Sequence, residues 1–166
     1  MGLHWSEGSA FWPVKSFLYP QPEIGGSSQR ADIALWRCMN PFLLVATGGA
    51  LGAVARYGAG LVALRLAGAA AWPWGTFAVN LIGGLLIGLV TGWIAFKSSA
   101  TSESVRLFAV VGVLGGFTTF SAFSLELVAM LERREMATAI LYALASVILS
   151  VVAVFVGLTI MRKVFG

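Results

Sequence analysis

Charge is what this chain has least of. Only 11% of its 166 residues are charged, eleven basic and seven acidic, where an ordinary globular domain carries about a quarter. So few ionised groups cannot cover a water-exposed surface, and with 58% hydrophobic residues and a mean hydropathy of +0.88 the composition is that of a membrane protein. Cysteine and histidine are nearly absent too. Cys38 alone cannot close an internal disulfide, and His4 alone cannot assemble a metal site from this chain. No glycine-rich stretch is followed by Lys-Ser/Thr, which excludes a phosphate-cradling loop. No nucleophile, base and orienting group stand together, so no enzyme is expected. The net charge of +4 implies no nucleic-acid partner, because the basic residues are scattered at segment ends as membrane flanks are.

What the chain does have is apolar length. A helix crosses a lipid core of about 30 Å with about 20 residues, and four segments reach that, approximately 42–66, 75–96, 107–131 and 136–161. The sequence therefore predicts an all-α membrane protein with four transmembrane helices per subunit, forming one domain over residues 41–166. The second and fourth segments hold no charged residue. The first holds Arg56 and the third Glu126, and both need explaining at membrane depth. Gly48 and Gly52 in the first segment, and Gly84, Gly88 and Gly92 in the second, recur at a spacing of four. That spacing lets helix backbones approach closely in lipid.

Residues 1–40 read differently. They contain Pro13, Pro20 and Pro22, hold no run long enough to span, and lack the basic start, apolar middle and cleavage site of a signal peptide. They are expected to be a flexible extension. Met39 opens MNPFLLVATGGALG, a natural beginning for a compact membrane protein, which predicts a functional start there.

Four spans place both termini on one side together with the loop between the second and third. Near the membrane that side carries Arg37, Lys97, Arg106, Arg162 and Lys163, against Arg65, Arg133 and Arg134 on the other. Such a weak bias fits insertion in both orientations, and equally a single orientation with the termini inside. Four short helices are few to enclose a wet path and satisfy Arg56, Glu126 and the other polar side chains, so a homo-oligomer is expected.

Several polar residues lie at membrane depth. Arg56 is either a packing arginine near an interface or a fixed positive charge that draws anions to a pore mouth. Asn80 either bonds a neighbouring helix or offers its amide NH2 to a passing ion. Tyr142, Ser146 and Ser150 recur every four residues, so they share one helix face, as a donor ladder or as a helix contact. In GGFTTFSAFSLE, residues 115–126, two glycines weaken helix continuity and the TTFS hydroxyls can satisfy freed backbone groups. A break there would turn carbonyls inward, which is how a protein makes a cation site without a carboxylate. Phe117, Phe120 and Phe123 then recur every three residues, either as a packed stripe or as rings whose positive edges favour an anion.

GGALGAVARYGAG, WGTFAVNLIGG and GGFTTFSAFSLE, in this order across three of the four segments, closely resemble the fluoride channel family known as Fluc or CrcB. The match covers roughly residues 40–163, and the TTFSxFSxE pattern is specific. The resemblance implies a passive, fluoride-selective channel of the bacterial inner membrane that protects the cell against fluoride, built as an antiparallel dual-topology homodimer. By the same resemblance Asn80 contacts fluoride, Phe120 and Phe123 line its path, and Arg56 stands near the vestibule. Gly115 and Thr118 offer backbone carbonyls to a structural sodium ion at the dimer interface. Tyr142, Ser146 and Ser150 form a polar track, with Thr76 and Thr119 contributing hydroxyls, and Glu126 is the acidic residue after the phenylalanines. The long extension before Met39 departs from the family pattern. A rival reading is a four-helix dual-topology exporter similar to the small multidrug resistance family, but its coupling glutamate in the first helix is replaced here by Arg56. A non-transporting membrane assembly subunit is the third reading.

Overall fold

The computed structural model describes residues 30–68, 72–96 and 100–165, with side chains from Pro41 onward except at 100–102. The chain divides into two units, Met1–Leu35 and Trp36–Gly166. The flexible extension expected over residues 1–40 lies, for residues 1–29, outside the described residues; from Arg30 onward the backbone is helical. The elements are α1 (Arg30–Ala67), α2 (Trp74–Phe96), α3 (Ala100–Val105), a π-helix π1 (Arg106–Leu114), α4 (Gly115–Phe117), α5 (Phe120–Glu132) and α6 (Met136–Phe165). No strand occurs among the described residues.

Among the described residues, four stretches are long and apolar enough to cross a membrane: Pro41–Ala67, Trp74–Phe96, Glu103–Glu132 and Met136–Phe165. Each matches one segment expected from hydropathy. Gly68 ends the first in the left-handed region, φ 61°, with its N–H on the Leu64 carbonyl at 3.0 Å, the usual way a helix stops on glycine. α5 and α6 are joined by a tight turn through Arg133 and Arg134, where Arg133 Nε donates to Glu135 at 3.0 Å. That exposed pair raises the Arg133 pKa, the Glu135 hydrogen bond being the larger cause.

The spans meet along glycine seams. A Cβ on Gly88 would fall onto the Val154 carbonyl oxygen, and one on Gly157 would stand 2.5 Å from the Leu85 carbonyl oxygen, so α2 and α6 touch backbone to backbone. Gly48 and Gly52 approach the backbone of π1 in the same manner, against Phe108 and Val113. In lipid the hydrophobic effect gives helices no reason to associate, and van der Waals contact at this range does so instead.

The third span is composite. π1 runs into α4, and the helix then breaks before restarting as α5. The break sits at Thr118 and Thr119, at the far edge of the expected interval, while Gly115 and Gly116 stay helical. It also separates Phe117 from Phe120 and Phe123, so the three phenylalanines do not form one helical stripe.

Candidate ion pathway

Thr118 closes the upstream helix. Its N–H and its hydroxyl both donate to the Leu114 carbonyl, each at 2.9 Å, after which its ψ of 156° turns the chain out of the helix. Thr119 is extended, φ −151° and ψ 120°, and its N–H donates to Asn80 Oδ1 at 2.8 Å. Asn80 Nδ2 in turn donates to the Thr119 carbonyl at 2.9 Å. The side chain of α2 thus takes both backbone groups of one residue, as a neighbouring strand would, and satisfies them inside the span. The pairing also fixes the amide orientation, since only the oxygen can accept from an N–H. One hydrogen of Nδ2 is spent on Thr119 and the other is left over.

The Thr119 hydroxyl caps α5 by accepting from the Ala122 N–H at 3.2 Å. The carbonyls of Gly115 and Thr118 are among those released by this arrangement. In a continuous helix Gly115 would receive the Thr119 N–H and Thr118 the Ala122 N–H, and both donors are engaged elsewhere.

Beside the break lies a groove of about 420 Å³, lined by Asn80, Thr118, Thr119, Phe120, Phe123, Ser146 and Ser150, with Gly84, Val147, Val151 and Val154 as its apolar wall. Its contents come from α2, the break, α5 and α6. The rings of Phe120 and Phe123 stand 5.5 Å apart, but Phe123 is 7% exposed and Phe120 76%. Ser146 is buried, and its hydroxyl has no hydrogen-bond partner among the described residues. A buried donor of that kind is rare and available to a passing acceptor.

Tyr142 and Thr76 stand apart from the groove. The Tyr142 hydroxyl donates to Glu126 Oε2 at 2.7 Å and the Thr76 hydroxyl to Glu126 Oε1 at 2.6 Å. Glu126 therefore ties α2, α5 and α6 together, with two strong donors in place of a counter-charge. The helix spacing that set Tyr142 in line with Ser146 and Ser150 holds for the backbone, while the phenol spends its proton on Glu126. On the other side of Thr119 a smaller cavity of about 280 Å³ is lined by Arg56, Tyr57, Thr76 and Ala122. Arg56 thus lines a cavity that shares Thr119 with the groove, and Gly115 is exposed at the surface.

Sequence reasoning overlooked the valines of the groove wall and Trp72, which packs edge-on to Tyr142 at 5.3 Å between ring centroids. The valines carry no signal that separates a groove wall from lipid contact. For Trp72 the WPWGT stretch ahead of α2 was the only cue.

The chain is similar to proteins of known kind. The family model described as CrcB-like protein, Camphor Resistance (CrcB), matches residues 43–158. A fluoride-specific ion channel FluC of Caulobacter sp. (strain K31) is 58% identical over 128 residues, covering 77% of this chain and 99% of the relative. The protein of that name from Hyphomonas neptunium is 55% identical over 77% of this chain and 100% of the relative, and that of Agrobacterium fabrum 52% identical over 74% and 96%. With matches of this length and identity, the chain belongs to the CrcB family.

Proposed function

We propose that this protein is a passive, fluoride-selective ion channel of the plasma membrane that lowers cytoplasmic fluoride. The name carried by its relatives supports the ion, and the groove beside the helix break is the observation that carries the mechanism. Fluoride is small, strongly hydrated and a strong hydrogen-bond acceptor. A path that dehydrates it must return donors: here the spare Nδ2 hydrogen of Asn80, the hydroxyls of Ser146 and Ser150, and the ring edges of Phe120 and Phe123. Several moderate sites in series pass an ion on, where one strong cage would hold it. Arg56 raises the local anion concentration at the neighbouring cavity. No covalent step is involved, so the chain acts as a channel rather than an enzyme.

The working unit in this reading is an antiparallel homodimer. Support comes from Phe120, a groove-lining ring left 76% exposed by its own chain, which a second copy would cover. The released carbonyls of Gly115 and Thr118 fit a sodium ion, which takes neutral oxygen ligands, and two copies would supply four. Bound there, sodium would hold the two breaks together. Residues 41–166 form the channel domain and residues 1–40 are accessory.

Efflux from liposomes holding the purified protein tests this. Fluoride is expected to leave under an imposed potential while chloride stays; no fluoride current, or equal chloride current, would overturn the assignment. For sodium, the check is whether channel purified in choline salts loses flux and thermal stability and regains both on adding sodium chloride.

A further inference from the structure

The phenylalanines of the groove are the start of a longer aromatic chain. Phe123 meets Tyr142 at 5.2 Å, Tyr142 meets Trp72 at 5.3 Å and 86°, and Trp72 meets Phe77 at 5.6 Å and 75°. Trp72 lies just ahead of α2, outside the spans, yet it reaches the core cluster of Phe123, Met130, Ala139 and Tyr142. Its indole nitrogen is buried with no hydrogen-bond partner among the described residues. A buried donor left unpaired is unfavourable, so the residue's contribution here lies in its ring. Edge-on contact at this range is the geometry aromatic pairs favour.

What that ring touches has consequences. Tyr142 is fully buried, and its hydroxyl is one of two donors on Glu126 among the described residues. The phenol can swing about two torsions, and contact with the rings of both Trp72, 5.3 Å away, and Phe123, 5.2 Å away, restricts both. Trp72 also borders, with Pro73, Thr76 and Glu126, a cavity of about 380 Å³. We propose that Trp72 is a positioning residue for conduction: by holding the Tyr142 ring it sets the hydroxyl on Glu126, and so fixes the carboxylate at the wall of this cavity. Trp72 does not line the groove and need not touch the ion.

This rests on the fluoride-channel reading, which wild-type flux in the same vesicles checks separately. Fluoride efflux would be measured for Trp72→Leu, Tyr142→Phe, the double variant and Trp72→Phe, with dimer content read by gel filtration. Trp72→Leu and Tyr142→Phe should each slow efflux about tenfold, the scale of one lost hydrogen bond to a charged group. Because both act through one hydroxyl, the double variant should be no slower than either single. Trp72→Phe, which restores a ring edge, should recover most of the rate. Normal efflux in Trp72→Leu or Tyr142→Phe, reductions that multiply in the double variant, or a phenylalanine variant as slow as leucine would each overturn the proposal. Should Trp72→Leu not assemble, Trp72→Met keeps the volume without the ring and replaces it in every arm.

Discussion

The first half of α2 meets its neighbours through side chains, Thr76 on Glu126 and Asn80 on the backbone of Thr119, whereas the second half meets α6 through Gly84, Gly88 and Gly92, which have none. Both halves lie in one helix of 23 residues without a charge. The glycine half gains from closeness alone, and an atom added at Gly88 must displace backbone. The polar half gains from specific partners, and a substitution there changes what the ion meets while leaving the helix in place. Substitution in the glycine half should therefore act on stability, and substitution in the polar half on conduction, with Asn80 contributing to both.

The largest expected effect is in the glycine half. Gly88→Ala sets a Cβ against the Val154 carbonyl oxygen and the Gly157 Cα, neither of which is the end of a flexible side chain. Overpacking of this kind costs typically about 1–3 kcal/mol, and thermal melting in detergent should show it, with Gly58→Ala, whose Cβ meets nothing within 4 Å in its own chain, melting normally. Equal melting of the two would break the comparison.

Asn80→Leu comes next, and it should act on both properties. It removes the acceptor of the Thr119 N–H and a donor of its carbonyl, leaving buried groups unpaired at about 1–3 kcal/mol. Fluoride efflux should fall to background while some dimer persists. An Asn80→Leu channel that still conducts would mean that the break is held by the glycines and hydroxyls of the third span alone.

The spans were legible because hydropathy over twenty residues outweighs every local preference, and the resemblance rested on motifs that hydropathy cannot see. The break was legible only in part. Gly115 and Gly116 looked like its cause, but Gly116 is small because the Gly49 carbonyl oxygen lies 2.6 Å from where its Cβ would be. The chain leaves the helix two residues later, where Asn80, nearly forty positions away in sequence, competes for the backbone of Thr119. No local propensity encodes such a competitor. Tyr142 shows a second limit: spacing gives the direction of a Cβ, and a phenol reaches well past it.

Phe120→Ile sharpens the polar half further. Isoleucine keeps apolar volume but has no positive ring edge, so efflux should drop by about tenfold or more while the melting temperature and dimer content hold, as aromatic contacts are worth roughly 0.5–1.5 kcal/mol. Arg56→Gln should do less, since it alters only the anion concentration at a neighbouring cavity. A reduction of about twofold at low salt should fade toward 1 M salt, where the screening length falls to about 3 Å. Salt-independent loss would place Arg56 in the structure of the path instead.

The smallest effect belongs to the residues that precede the first span. The spans begin at Pro41, the family match at residue 43, and each residue lining the groove or the Arg56 cavity lies at Ala53 or beyond. Removing residues 1–38 leaves Met39 as the first residue and keeps every one of these groups. Efflux and melting should both be unchanged, which intact-mass measurement and the liposome assay on the shortened chain would check. Lost flux with normal melting would assign the extension to the path's mouth, and lost melting would assign it to assembly; either result would extend the division seen along α2 to a segment that neither glycine contact nor polar partner predicts.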